Sequence, residues 1–301
     1  MSIEKIQKPF LKWVGGKTQI IDSVLSKIPK KMENYHEVFL GGGSILLAVV
    51  SLQRQGKITI NKKIYAYDIN KQLINVYKHI QSNKDVLYHY ITEYMNTYEN
   101  LTGTEVNRKP TTLDEAKTSK ESYYYWMRSK FNTIDQESIE RSALFMIINK
   151  TCFRGMYREG PNGYNVPYGH YNKTPTIISE TDLAHVSELI KNVVFIHSDF
   201  NVSIKSIKPG DFVYFDPPYV QENSKSFVGY VANGFDIDMN RTLFAEIKKM
   251  AAINIKFLLS NAKVELVTEE FKEFVCEDIV ARRAINSKKP GSTTTEVLIY
   301  N

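Results

Sequence analysis

The sequence predicts an α/β protein: an open, mostly parallel seven-stranded sheet of Rossmann-like type, interrupted by a helical insert that ends in a β-hairpin. Three observations predict it. Short apolar runs end in an acid or a glycine turn and lead into amphipathic stretches, as in strand–helix units wound on a parallel sheet. One such run, Asp211 to Phe215, stops abruptly at Asp216-Pro217-Pro218-Tyr219. Finally, residues 71–192 separate the second candidate strand from the third, far more chain than a crossover helix needs.

The bulk composition suits a soluble globular chain. Of 301 residues, 43% are hydrophobic and 24% charged, and 39 Lys+Arg against 33 Asp+Glu leave a net charge of +6. That mild excess permits a polyanionic partner without requiring one. Two cysteines, Cys152 and Cys276, are too few for a disulfide framework, and the six histidines are scattered, so no metal site is expected. The first residues lack an apolar leader, and no run of about 18 apolar residues occurs. A cytoplasmic, intracellular protein without a membrane segment is the expectation.

Taken in order, Pro9-Phe10-Leu11-Lys12-Trp13-Val14-Gly15-Gly16-Lys17 places paired glycines before an amphipathic run from Ile20 to Ile28. The glycines permit a tight turn, and P-loop spacing is absent. Tyr35 to Phe39 reads as a strand, followed by the turn Gly41-Gly42-Gly43-Ser44 and an apolar helix from Ile45 to Leu52. Glycines at such a switch let backbone approach a ligand at a helix N-terminus, although a plain tight turn has the same signature. Lys63 to Asn70 is a strand whose Asp68 suits ribose hydroxyls; the competing role is a cap for the helix from Lys71.

The insert carries aromatic-rich helical stretches, Ser122 to Lys130 and Ser142 to Asn149, which read as core. It ends in a basic, aromatic hairpin near 153–171, turning at Gly160-Pro161-Asn162-Gly163 and bearing Arg154, Arg158, His170 and Lys173. Arginine on such a hairpin can bond guanine bidentately; a solvated hairpin is the plain alternative. Val193 to His197 is the next strand, followed by Ser198-Asp199-Phe200.

Val213, Tyr214 and Phe215 are strand formers, and Pro217 cannot donate to a ladder, so the fourth strand must end there. Asp216 and the Pro217 carbonyl can each accept one N–H of an exocyclic amine, while Tyr219 offers a stacking face. The polar loop from Gln221 to Phe235 follows the shelf and could order over a substrate, and the basic segment Asn286 to Ser292 could touch phosphates or simply be solvated. Strands over Lys256 to Asn261, Phe274 to Val280 and Glu296 to Tyr300 complete seven.

Asp216-Pro217-Pro218-Tyr219 resembles the catalytic motif of the S-adenosylmethionine-dependent methyltransferases that modify adenine N6 in DNA. The motif order is similar to their alpha group, the Dam-like enzymes, over nearly the full length and most weakly between residues 84 and 140. The resemblance implies a methyltransferase fold in two parts, a catalytic domain of residues 1–78 and 176–301 and a target-recognition domain of residues 79–175. It implies catalytic roles for Asp216, Pro217, Pro218 and Tyr219. It places Trp13, Lys17, Glu37, Phe39, Gly41, Gly43, Asp68, Asp199 and Asp216 around the cofactor, with Glu37 near its amino group. It assigns DNA contacts to Arg154, Met156, Arg158 and Pro167.

Two departures stand out: Val38 replaces a common proline, and Arg154 replaces the asparagine of relatives that modify GATC, which leaves CATG open as a target. The implied reaction is direct in-line methylation of a flipped adenine in a short palindromic duplex site, with S-adenosylmethionine as donor and no metal. Double-stranded DNA is the expected partner, with a cognate restriction endonuclease acting on the same site and a monomeric or weakly dimeric state. Two other classes keep the same motifs: a methyltransferase of RNA adenine or a protein glutamine amide, and a non-catalytic DNA-binding protein.

Overall fold

A computed structural model describes residues 6–220, 235–282 and 293–301 of the chain. Residues 221–234 of the polar loop and the basic segment 286–292 lie outside the described residues. Seven strands form one sheet: β1 (Tyr35–Glu37), β2 (Ile64–Asp68), β3 (Val193–His197), β4 (Phe212–Phe215), β5 (Lys256–Ala262), β6 (Val275–Arg282) and β7 (Thr293–Tyr300). Their spatial order is β6-β7-β5-β4-β1-β2-β3, so the expected mostly parallel, Rossmann-like sheet is present. Only β7 runs antiparallel to both of its neighbours.

β1 is the pivot of this order. Glu37 pairs with Ala66 on one side and Tyr214 on the other, so the winding reverses across β1. The crevice beyond the carboxyl ends of β1 and β4 is where an open sheet of this kind binds ligands. Because β7 returns antiparallel, its early residue Glu296 lies opposite Ala262, at that same edge.

Period-two alternation sends each strand's side chains to two interiors. Tyr35, Phe212, Tyr214, Leu258 and Leu298 face one core; Val213, Phe215, Phe257, Leu259 and Val297 face the other. The first face is covered by α1 (Ser44–Arg54), α2 (Lys71–Ser82) and α6 (Glu180–Ile190), and the second by α7 (Ile237–Ala252). Between α2 and α6 the insert adds α3 (Lys84–Asn100), α4 (Lys120–Thr133) and α5 (Ile139–Thr151). α5 is buried from Arg141 to Asn149: Ala143 to Ile148 are apolar, and the buried polar ends are paired, Arg141 with Gln72 and the Ile134 carbonyl and Asn149 with the Lys12 backbone. Its Leu144, Phe145 and Ile148 belong to the same interior as Tyr35 and Leu46, so the insert grows from the first core.

Side-chain caps mark the helix starts. Ser119, Ser138, Ser179 and Asp236 each accept a backbone N–H from the first turn of α4, α5, α6 and α7, satisfying donors that the helix itself leaves open. At α2 the cap is Asn70, which accepts from the Leu73 N–H. Asp68 is therefore not that cap. The amphipathic run from Ile20 to Ile28 yields only a short helix, Ile21–Leu25, after a 3-10 turn at Lys17–Gln19. No helix among the described residues is long and apolar enough to cross a membrane.

Candidate active site

β4 ends at Phe215, and Asp216 follows directly at the mouth of the crevice. An Asp216 carboxylate oxygen lies 2.8 Å from the Lys17 ammonium. Lys17 is only 4% exposed; it also donates to the Gly15 carbonyl at 2.7 Å and lies 4.7 Å from the centre of the Tyr219 ring. Its backbone N–H donates to Ser44 Oγ at the start of α1. The lysine thus spans the anion and the π face of the shelf together. Burial pushes the Asp216 carboxyl up to about 6, against the pull of Lys17 and with help from the nearby negative charge of Glu296.

The far side of Tyr219 is anchored as well. Its hydroxyl donates to Glu296 at 2.7 Å, and the next residue, Val220, donates its backbone N–H to Asn261 Oδ1 at 3.2 Å. Pro217 is buried and Pro218 half-buried, so the turn after β4 is held on both flanks.

Glu37, at the end of β1, is 2% exposed and accepts from the Tyr35 hydroxyl at 2.7 Å. Burial lifts its carboxyl to about 8; the Tyr35 hydroxyl and the Leu46 N–H oppose that rise, and Asp216 adds to it. Burial beside the glycine turn thus favours its protonated form, and a cation placed against it would favour the carboxylate. Asp68 accepts from the Gly41 N–H at 2.9 Å and the Asn70 N–H at 2.8 Å, ties that hold the turn between β1 and α1 to the end of β2. Burial raises the Asp68 carboxyl despite those bonds.

The turn itself needs glycine. Gly43 has φ +68, and a Cβ there would come within 2.1 Å of the Tyr77 hydroxyl. At Gly41 a Cβ would press on the Trp13 ring at 3.0 Å. Beyond β3, Asp199 accepts from Asn201 N and Nδ2 at the start of a short helix, Phe200–Ser203. Phe39, Phe200 and Phe235 form an aromatic wall there, with ring centres 5.7 to 6.1 Å apart.

Trp13 joins this crevice to the hairpin. It packs on the glycine turn and stacks on Tyr157 and Phe145 at 5.9 and 6.3 Å. The hairpin ladder is minimal, two residues a side, pairing Glu159 with Tyr164 and Gly160 with Gly163. Hydrogen bonds from the insert supply the rest of its support: Asn132 pairs with the backbone of Tyr164, and Tyr124 and Arg128 both donate to the Val166 carbonyl.

Arg154 is exposed with φ +57, Pro167 is exposed, and Met156 is half-buried against the core. Arg158 donates through Nε to Asn165 Oδ1 at 2.6 Å and through Nη2 to the Asn165 carbonyl at 3.3 Å. Phe153, which sequence reasoning passed over, is 43% exposed beside Arg154. In the sequence Glu296 reads only as the start of the last strand, in a Glu-x-Leu-x-Tyr run, with no role in the site, because it meets Tyr219 only in the folded sheet. Among the described residues no group of three or more His, Cys, Asp and Glu is arranged to hold a metal ion.

Residues 13–285 match the family model of the D12 class N6 adenine-specific DNA methyltransferases. The type II methyltransferase M.MjaIII of Methanocaldococcus jannaschii is 34% identical, over 98% of this chain and 99% of its own. The type II methyltransferase M1.LlaDCHI of Lactococcus lactis subsp. cremoris is 30% identical, over 98% and 95%. The DNA adenine methylase of Escherichia coli K12 is 28% identical, over 97% and 94%.

Proposed function

Because the chain belongs to the D12 class of N6 adenine-specific DNA methyltransferases, we propose that it uses S-adenosylmethionine to methylate an adenine flipped out of a short duplex site. The observation that carries this reading is the shelf of Asp216, Pro217 and Tyr219, filled by a cation that an adenine can replace.

The crevice fits the donor's chemistry. S-adenosylmethionine bears an ammonium and a sulfonium, and supplies an activated methyl group when bound. Glu37 would take the ammonium, Asp68 the ribose hydroxyls, and Phe39 with Phe200 one face of the adenine ring, with Asp199 at that end. Gly41 and Gly43 leave room for close backbone approach, and Trp13 backs the turn.

The substrate amine competes with Lys17 for the Asp216 carboxylate, one oxygen of which lies 2.8 Å from the ammonium. Flipping the base costs a few kcal/mol, and stacking on Tyr219 returns roughly 1–3 kcal/mol. Bonds from N6 to Asp216 and the Pro217 carbonyl favour a pyramidal nitrogen with its lone pair aimed at the methyl group, so positioning supplies much of the rate. Lys17 is the cation that opposes the rise at Asp216, so where the amine takes its place the carboxylate becomes more basic as positive charge grows on N6.

The carboxylate must be ionised to do this. We therefore expect kcat/KM to fall about tenfold per pH unit below about 6, where Asp216 of the free enzyme takes up a proton. A pH–rate profile with no acid limb near that value contradicts the assignment.

Residues 79–175 are proposed as the target-recognition part, with Arg154, Met156, Arg158 and Pro167 facing DNA. Asn165 occupies Arg158 Nε and one N–H of Nη2, which leaves Nη1 and the second Nη2 N–H for a guanine edge. Arg158→Ala should lose about 1–3 kcal/mol of discrimination at one base pair, read as the ratio of kcat/KM on the target and single-base variants; an unchanged ratio removes Arg158 from base reading. Phe153, exposed on the same loop, is a candidate wedge for the gap a flipped base leaves. The site is proposed as a GATC- or CATG-like palindrome, the same one that a paired endonuclease would cut.

The direct test offers labelled S-adenosylmethionine with duplex DNA, single-stranded RNA and protein. Label in duplex adenine supports the reading, and label in RNA or glutamine alone overturns it.

A further inference from the structure

We propose that Glu296 is a positioning residue for methyl transfer, holding the Tyr219 ring in the plane that receives the adenine. This rests on the reading that Tyr219 stacks on that base. Tyr219 follows two prolines and precedes Val220, whose backbone N–H is fixed by Asn261 at 3.2 Å. That grip sets the chain but not the side-chain torsions, where staggered wells compete and Lys17 meets only the ring face. The Glu296 carboxylate closes this freedom by accepting from the ring hydroxyl at 2.7 Å.

The fold explains why the anchor comes from so distant a residue. β7 enters the sheet antiparallel between β5 and β6, and its register sets Glu296 opposite Ala262, one residue beyond the Asn261 that holds Val220. One pair of neighbouring positions on adjacent strands thus fixes both the backbone and the tip of the aromatic residue. A stacking surface fixed before the base arrives loses no torsional freedom when it binds.

Glu296 also adds a negative charge near Asp216. The charged and titratable groups acting there are Lys17, Glu37, Tyr214, Tyr219 and Glu296. Removing the glutamate charge while keeping an acceptor oxygen should move the acid limb of the pH profile to lower pH. The anchor and the charge can therefore be separated.

The test compares Tyr219→Phe, Glu296→Ala, their double mutant and Glu296→Gln by steady-state methylation of duplex DNA, with thermal melts alongside. Tyr219→Phe keeps the stacking face and removes only the hydroxyl, so it isolates the bond to Glu296. We expect Tyr219→Phe and Glu296→Ala each to lower kcat about tenfold, the scale of a small misplacement, with KM for the methyl donor little changed. The double mutant should be no worse than either single, since each breaks the same bond. Glu296→Gln should recover most of what alanine loses and shift the acid limb downward.

Multiplicative losses in the double mutant, or a glutamine variant as impaired as alanine, overturn the inference. So does a loss of kcat that follows melting temperature alone across the four variants. A parent protein that methylates no duplex DNA overturns both this and the proposed function, whereas an active parent with additive variants overturns the anchor only.

Discussion

Asp216→Ala is expected to cut methyl transfer by about 10³-fold or more, the scale on which removing a group that stabilises developing charge acts. On the proposed mechanism the carboxylate accepts one N6 proton in a hydrogen bond, orients the lone pair and opposes the positive charge that forms on nitrogen. No neighbour can take its place: Glu37 is buried and bonded to the Tyr35 hydroxyl, and Glu296 is occupied by the Tyr219 hydroxyl. DNA affinity should persist, because Arg154 and Arg158 belong to a hairpin supported by α4 rather than by the shelf. Folding should persist too, since Lys17 keeps its bond to the Gly15 carbonyl and its place over Tyr219. Asp216→Asn, which retains an acceptor oxygen but no charge, should fall between alanine and the parent. Single-turnover methylation with a parallel gel-shift assay checks this; substantial turnover by the alanine variant contradicts the assignment.

Gly43→Ala should disable the protein from the other side of the crevice. The left-handed backbone at φ +68 costs an alanine roughly 1–2 kcal/mol. Its Cβ would meet the Tyr77 hydroxyl at 2.1 Å inside a fully buried site, an overpacking of about 1–3 kcal/mol. Relief requires the turn to shift, and that turn carries the Gly41 N–H bonded to Asp68. We expect a lower melting temperature together with weaker S-adenosylmethionine binding by calorimetry. Tyr77→Phe supplies the control. The Tyr77 hydroxyl is buried without a hydrogen-bond partner, so its removal alone should be neutral or stabilising. In the Gly43→Ala background it should recover part of the loss; no recovery would place the defect elsewhere.

What the sequence revealed and what it hid divide along a physical line. All seven strands were legible, most of them because apolar runs ending in acids, glycines or prolines are local signals, and β6 was placed to within two residues at its far end. The same locality put Asp216, Glu37 and Asp68 at strand ends, and the sheet order then brought those ends to one edge. Contacts made across the fold left no such trace. The Lys17–Asp216 pair spans most of the chain, and Glu296 reaches Tyr219 only because β7 runs antiparallel. Trp13 was marked by its motif, but its stack on Tyr157, which ties the crevice to the hairpin, was not.

Local signals also misled where tertiary contacts set the outcome. The run from Ile20 to Ile28 has helical spacing, yet only Ile21–Leu25 is helical. Asp68 offered itself as a cap, but Asn70, two residues on, holds the position from which a side chain reaches the Leu73 N–H. The hairpin was visible from its turn residues, whereas its support comes from Tyr124, Arg128 and Asn132 on a helix more than thirty positions upstream.

The most direct measurement is sequencing with base-modification detection on DNA from cells expressing the parent protein or Asp216→Ala. The account predicts N6-methyladenine at one short palindromic motif with the parent and none with the variant. Unmodified DNA from the parent, or equal modification from both, would contradict it.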